Sequence, residues 1–218
     1  MSTILNGAKQ GVLKNVLLIQ PNGLVKRMYR KAVWNMPRAE KTIYLTFDDG
    51  PVPGITEWVL DELKRHDATA TFFCVGENIK RHSAVFNRIK DEGHAVANHT
   101  MSHSKGFRST VPAYMREVDE CAALVGNRLF RPPYGQLRRG QYKTLIQKGY
   151  HIILWDVISY DYEQINERRC AENVLKHSRN GSIVLFHDNS KAERNLRYAL
   201  PLFLEHFGNK GYTFRTLL

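Results

Sequence analysis

Cysteine is scarce in this chain: three in 218 residues, Cys74, Cys121 and Cys170, far apart, odd in number and never in a CxxC pair. That excludes a disulfide framework and a thiolate zinc site, and leaves three reduced core residues. Long apolar runs are missing too. The longest near the N-terminus is "VLLI", Val16 to Ile19, closed by Gln20 and Pro21. It is too short for a signal h-region or a membrane span, so the sequence as given reads as unexported, cytoplasmic or peripheral to a membrane. No internal repeat or low-complexity segment interrupts the chain. Acidic residues are outnumbered, 21 against 32 Lys and Arg, for a net charge of +11. The excess favours an anionic partner. No arginine-rich tract, zinc-finger spacing or RRM-like aromatic motif accompanies it, which argues against nucleic acid.

What is present is a core. Hydrophobic residues make up 43% of the chain, enough for one domain read as a monomer. Residues 1–40 form a basic lead-in. Within it "LVKRMYRKAVW", Leu24 to Trp34, sets Leu24, Val25, Met28, Tyr29, Ala32 and Val33 on one helical stripe opposite Lys26, Arg27, Arg30 and Lys31. Such a helix suits an anionic membrane surface. Packing of the stripe on the domain is the preferred reading, because the stripe lacks an anchor's bulk.

From residue 41 to 218, strand candidates alternate with amphipathic helices. The strands are "TIYLTF" (from Thr42), "ATFFCV" (Ala70), "HAVANH" (His94), "LFRP" (Leu129), "HIILWDV" (His151), "SIVLFH" (Ser182) and "YTFRTL" (Tyr212). Ile55, Val59, Leu60 and Leu63 make one helical face; Tyr114, Val118, Cys121, Ala122 and Val125 make another. Near-continuous apolar strands between helices predict an α/β fold with a parallel sheet buried on both faces, as an open sheet or a closed barrel. The polar motifs "DDGP", "NHTMSH", "RPPYG", "WDV" and "FHD" each follow a strand's C-terminal end, the edge that carries the site in both architectures.

His99 and His103 in "HTMSH" are four residues apart, so a helical turn would put both imidazoles on one face toward a shared metal. Two imidazoles and a carboxylate, with one position left for water, make a hydrolytic zinc-type donor set. "TFDDGP" offers the carboxylates: one to ligate the cation, the other to take a proton from water beside it. A solvated Asp-Gly turn is the alternative. His187, ending the apolar run "IVLFH", suits a general acid or a satisfied core histidine. Arg131, before two prolines, could orient a carboxylate such as Asp48, and the Tyr134 backbone N–H could face an oxyanion.

With these motifs in this order, the chain resembles the polysaccharide deacetylases that share the NodB homology domain, carbohydrate esterase family 4, from about Lys41 to the C-terminus. The resemblance implies a distorted (β/α) barrel and metal-dependent hydrolysis of acetyl groups on sugar polymers or oligomers. By matching motifs it implies Asp49, His99 and His103 as metal ligands, Asp48 as general base and His187 as general acid. Arg131 would hold the base, Tyr134 would supply the oxyanion donor, and Leu185 would line the acetyl-methyl pocket. The implied cation is divalent, zinc first, then cobalt, nickel or manganese. One position departs: Ile158 in "WDVISYDY" stands where the family usually has an aspartate that tunes the acid histidine. Asp156, two positions earlier on an assumed strand, is a substitute by the two-residue period, and Asp161 is the other nearby carboxylate. The departure also motivates a second reading, a carbohydrate-binding scaffold without turnover. The charge motivates a third, a basic membrane- or nucleic-acid-binding protein.

Overall fold

In the first long strand the residues alternate in what they face. Ile43, Leu45 and Phe47 are fully buried under the helices, whereas Thr46 and Asp48 point to the other side of the sheet. That period of two sets the architecture of the computed structural model, which describes residues 19–217. The run at Val16 lies outside the described residues except for Ile19.

In chain order the elements are α1 (Gly23–Met28), β1 (Thr42–Asp48), α2 (Ile55–Arg65), β2 (Ala70–Cys74), α3 (Gly76–Arg81), α4 (Ser83–Asp91), β3 (Ala95–Asn98), α5 (Val111–Val125), β4 (Leu129–Phe130), α6 (Arg139–Gln147), β5 (His151–Ile152), β6 (Val157–Ile158), α7 (Glu167–His177), β7 (Ile183–His187), α8 (Glu193–Gly208) and β8 (Thr213–Phe214). The strands lie in the order β5-β4-β3-β2-β1-β7-β6, with every pairing parallel, and β8 joins the start of β1 at Thr42 and Ile43. Helix ends follow the sequence. Thr110 caps α5, which has Pro112 in its first turn and closes on left-handed Gly126, and Asn166 caps α7.

The outer core packs Ile43, Leu45, Phe47, Phe72 and Phe186 against the inner faces of the helices, including Val59, Leu63, Leu200 and Phe203. A smaller cluster of Phe73, Ala97, Leu129, Ile153 and Ile183 fills the concave side of the sheet. Cys74, Cys121 and Cys170 are free and buried. The sheet thus curls into a distorted (β/α) barrel. Its edge strands β5 and β6 are consecutive in sequence but unpaired with each other.

The lead-in closes this seam, and its local structure differs from the expected helix. Among the described residues of the lead-in only Gly23–Met28 is helical, and Leu24 and Met28, meant for the buried stripe, are 69% and 64% exposed. The chain then turns and extends. Val33 pairs with Ile153 in parallel and Asn35 with Ser182 antiparallel. Val33 N–H donates to the Ile152 carbonyl, and Leu154 N–H to the Val33 carbonyl, both at 2.8 Å. Open backbone groups at the seam outweigh the helical pattern around the β-branched Val33. The run from His151 likewise divides: Ile153 and Leu154 meet this segment, and the chain then crosses to β7, where Asp156 N–H donates to the Ile183 carbonyl at 2.9 Å. Among the described residues no helix is long and apolar enough to cross a membrane.

Candidate active site

Parallel register puts Asp48 of β1 beside His187 of β7, both at the C-terminal ends of their strands. Asp48 faces the barrel interior, where Arg131 Nη1 donates to its Oδ1 at 2.7 Å and to Thr46 Oγ1 at 2.8 Å. Arg131 is fully buried. Its Nε and Nη2 donate to the carbonyls of Ile153 and Leu154, and its guanidinium lies 4.0 Å from the Phe73 ring centroid. Burial lowers the guanidinium's pKa, and Asp48 opposes that by favouring the charge.

Asp49 takes a different direction because its backbone is left-handed, with φ 86°. The turn is held from several sides. Asn78 Nδ2 donates to the Asp49 carbonyl, and the buried Asp188 carboxylate accepts from Gly50 N–H at 3.0 Å and Thr56 Oγ1 at 2.6 Å. Only glycine fits at position 50, since a Cβ there would fall 1.9 Å from Asp188 Oδ2. The adjacent carboxylates therefore diverge, Asp48 onto Arg131 and Asp49 onto the histidines.

His99 and His103 converge as expected, but no helix carries them. Thr100 and His103 have φ of 66° and 56°, and the loop folds on its own side chains: Asn98 Oδ1 accepts from Thr100 N–H and Thr100 Oγ1 from Ser104 N–H. His103 Nε2 lies 3.0 Å and His99 Nε2 3.6 Å from Asp49 Oδ1. One donor atom from each of the three residues falls within 4.8 Å of the others.

These residues fit a divalent cation. Asp49 Oδ1 is buried without a hydrogen bond of proper geometry, although His103 stands close. Asp49 Oδ2 accepts from Asn189 Nδ2. His99 Nδ1 donates to the Arg131 carbonyl at 2.8 Å, which leaves Nε2 as the bare nitrogen. Burial lowers His99 to a pKa of about 4 against the pull of Asp48, so the ring is neutral at physiological pH. Burial alone would raise the Asp49 carboxyl, but His103, His187 and His99 hold it well below the carboxylate range. An ionised oxygen facing two imidazoles is a hydrolytic metal-site donor set.

On the opposite wall, Asp161 Oδ1 lies 2.8 Å from His187 Nδ1, and Asp161 Oδ2 accepts the His187 backbone N–H at 2.7 Å. Burial depresses the imidazole, but the Asp161 charge and hydrogen bond outweigh it and raise the pKa to about 9. Asp156 has no part in this and is corrected as a tuning residue. Its Oδ2 accepts from Arg38 and Ser182, both at 2.8 Å, and Lys26 Nζ stands 3.7 Å from its Oδ1. Asp156 therefore secures the lead-in at the barrel seam.

Asp48, Asp49, His99, His103, Tyr134, Leu185 and His187 line one cavity of about 670 Å³, together with Trp155, Ile158, Tyr162 and Asn189. Tyr134 is left-handed at φ 60°, and its ring meets His103 edge-on at 4.8 Å. Sequence reasoning passed over Asn189 and Asp188. Their only signal was position, directly after His187 at a strand end.

Comparison with known proteins then decides the family. The family model for polysaccharide deacetylase matches residues 35–153, over half of the chain. The chain belongs to the polysaccharide deacetylase family. A peptidoglycan-N-acetylglucosamine deacetylase of Bacillus cereus is 31% identical over 91% of this chain and 93% of its own length. The peptidoglycan-N-acetylmuramic acid deacetylase PdaA of Bacillus subtilis is 33% identical over 82% of this chain and 70% of its own. The crystal structure of the Bc1960 peptidoglycan N-acetylglucosamine deacetylase, in complex with 4-naphthalen-1-yl-N-oxidanyl-benzamide, superposes with a TM-score of 0.81 at 30% identity, covering 86% of this chain and 91% of that one. The fold shared with that structure is a parallel sheet curled into a barrel, and in this chain the candidate site lies at the C-terminal edge of the sheet.

Proposed function

We propose that this polysaccharide deacetylase hydrolyses N-acetyl groups on N-acetylglucosamine-type units of a glycan, with peptidoglycan as the preferred substrate class, and that it depends on a divalent cation, zinc first. The observation that carries the reading is the convergence on one cavity of a carboxylate fixed by a buried arginine, a carboxylate–bis-imidazole donor set, and a carboxylate-held histidine. The names of the two relatives support the choice of peptidoglycan.

Asp49, His99 and His103 would hold the cation, which when bound supplies Lewis acidity and makes water more acidic. Asp48, oriented by Arg131, takes a proton from the attacking water. The Tyr134 backbone N–H, presented by its left-handed turn, donates to the oxyanion formed at the acetyl carbon. Leu185, 2% exposed, packs against the acetyl methyl. His187 gives its proton to the departing sugar nitrogen as the C–N bond breaks, so amide and water become acetate and amine. Its raised pKa suits that role, because the ring stays protonated at neutral pH.

A binding scaffold without turnover is the less favoured reading. It was motivated by Ile158, and the Asp161–His187 contact weakens that motive. The test is acetate release from N-acetylglucosamine oligomers and peptidoglycan fragments, with chelated protein and then with zinc, cobalt, nickel or manganese restored. Release that returns with the cation is the expected result. None from any substrate, despite stoichiometric cation, would favour the scaffold.

A further inference from the structure

Beside the main cavity lies a second one of about 220 Å³, lined by Pro21, Val25, Trp34, Tyr134, Trp155 and Tyr160. Tyr134, Trp155 and Tyr160 line both, so the two are neighbours along one wall. Gly135 also lines both. Its φ is 65°, and a Cβ there would stand 2.8 Å from Trp155 Cη2, so the missing side chain lets the indole lie against the turn.

The far wall comes from the lead-in, which is fixed to the barrel at several points. Lys26 Nζ is 3.7 Å from the buried Asp156 carboxylate and 5.9 Å from the Trp34 ring centroid. The Ile19 carbonyl accepts the Ile158 N–H at 3.1 Å, while Asn22 Oδ1 caps α1 by accepting the Val25 N–H at 3.0 Å. The Val33–Ile153 pairing holds Trp34 from the other side. Asp156, bound by Lys26, directly follows Trp155, which lines both cavities. One buried carboxylate thus ties both walls together.

We propose that this cleft is a binding subsite for the sugar unit adjacent to the one being deacetylated, and that Trp34 and Val25 of the lead-in make it. This rests on the main cavity taking an acetylated glycan. A pyranose ring has apolar C–H faces and a polar rim, and aromatic side chains, apolar in body with polar tips, suit such a surface. Three of the six residues named are shared with the main cavity, so a chain whose acetamide sits there passes its next unit along the common wall of Tyr134, Trp155 and Tyr160. No acid lines the cleft, and its composition fits a neutral sugar face. The lead-in would then serve selectivity for polymers as well as barrel closure.

The test uses the full chain with divalent cation chelated, so that no acetate is released, and compares by calorimetry its affinity for N-acetylglucosamine and for the β-1,4-linked tetramer. The wild type prefers the tetramer. In Trp34→Ala the tetramer-to-monomer affinity ratio falls about three- to tenfold, the size of one lost aromatic contact. Trp34→Phe keeps most of the preference, and Val25→Trp, which fills the cleft without removing an indole, lowers it. Circular dichroism and melting confirm that each variant folds. A wild type without preference for the tetramer, or variants Trp34→Ala and Val25→Trp that keep it in full, would overturn the proposal. Acetate release after zinc is restored reads the catalytic proposal separately, so tetramer preference with no release would sink the deacetylase reading and leave the subsite standing.

Discussion

Asp161 holds His187 by two bonds, one to the imidazole Nδ1 at 2.8 Å and one from the backbone N–H at 2.7 Å. The second fixes the strand end on which the ring sits, and the first fixes which ring nitrogen is left for chemistry. Ile158, where a tuning carboxylate was expected, instead lines the cavity as an apolar residue.

The pH dependence follows from this pair. His187 must carry its proton to act as an acid, and Asp161 raises its pKa to about 9 against the effect of burial. Activity is therefore expected to have an alkaline limb near that value. Asp161→Asn keeps an acceptor for Nδ1 but removes the charge, and should move the limb down by roughly one to three pH units. Asp156→Asn should leave the limb in place. Stability follows with the same sign. A folded-state pKa raised above the unfolded value stabilises fully below about 6.5, and the gain is lost as pH rises through about 9. The melting-temperature gap between wild type and Asp161→Asn should accordingly narrow across that window. A gap independent of pH would contradict the assignment.

Arg131 is a fully buried cation whose charge partner is Asp48. Replacing it with Met strands the carboxylate in the barrel, at a cost of about 3–5 kcal/mol. The same change in an Asp48→Asn background should cost distinctly less, since no charge is then left unpaired. Urea denaturation of the four proteins measures the difference, and equal costs in both backgrounds would mean that Arg131 acts through its other contacts with Thr46, Ile153 and Leu154.

How much was legible depended on where each residue sits relative to regular structure. Asp48, Asp49 and His187 were readable because strand ends in a parallel sheet converge at one edge. The convergence of His99 and His103 was readable although the reason was not: the four-residue spacing suggested a helix, whereas a loop with two left-handed residues achieves it. Asp156 was misread because the two-residue period assumed one strand through residues 151–157. The run is instead two short strands on opposite edges of the sheet, and the Asp156 carboxylate is taken up by Arg38 and Ser182 rather than by His187. The pairing of Val33 and Asn35 at the seam was not visible either, since the stretch has helical spacing and only the unpaired barrel edge overrides it.

The two aspartates should separate cleanly in metal binding. Asp49→Asn removes the charged oxygen facing both imidazoles and is expected to weaken zinc affinity sharply, whereas Asp48→Asn keeps the cation and loses turnover. Asn189 Oδ1 accepts from the N–H groups of Lys191 and Ala192, which turns its amide nitrogen toward Asp49 Oδ2. Asn189→Ala should therefore cost roughly 10–100-fold in zinc affinity, as loss of an outer partner does elsewhere. Calorimetric titration with zinc compares the three. Equal loss in Asp48→Asn and Asp49→Asn would contradict the division of labour.

Gly50 and Asp188 are coupled by space as well as by a hydrogen bond, and a double-mutant cycle can read both. Gly50→Ala places a methyl where the Asp188 carboxylate stands, 1.9 Å from Oδ2, and that carboxylate is held in place by Thr56 and cannot swing aside freely. Overpacking of this kind costs about 1–3 kcal/mol. Asp188→Ala alone leaves the Gly50 N–H and the Thr56 hydroxyl without their acceptor, also at a cost of about 1–3 kcal/mol. The double variant has room for the new methyl and has already lost the acceptor, so it should be more stable than the two single costs imply, by about 0.5–3 kcal/mol. Because the same turn carries Asp49, zinc affinity should fall in Gly50→Ala and recover in part in the double variant. Strict additivity in both stability and affinity would mean that the turn is shaped by other contacts, and that Asp188 is a bystander to the site.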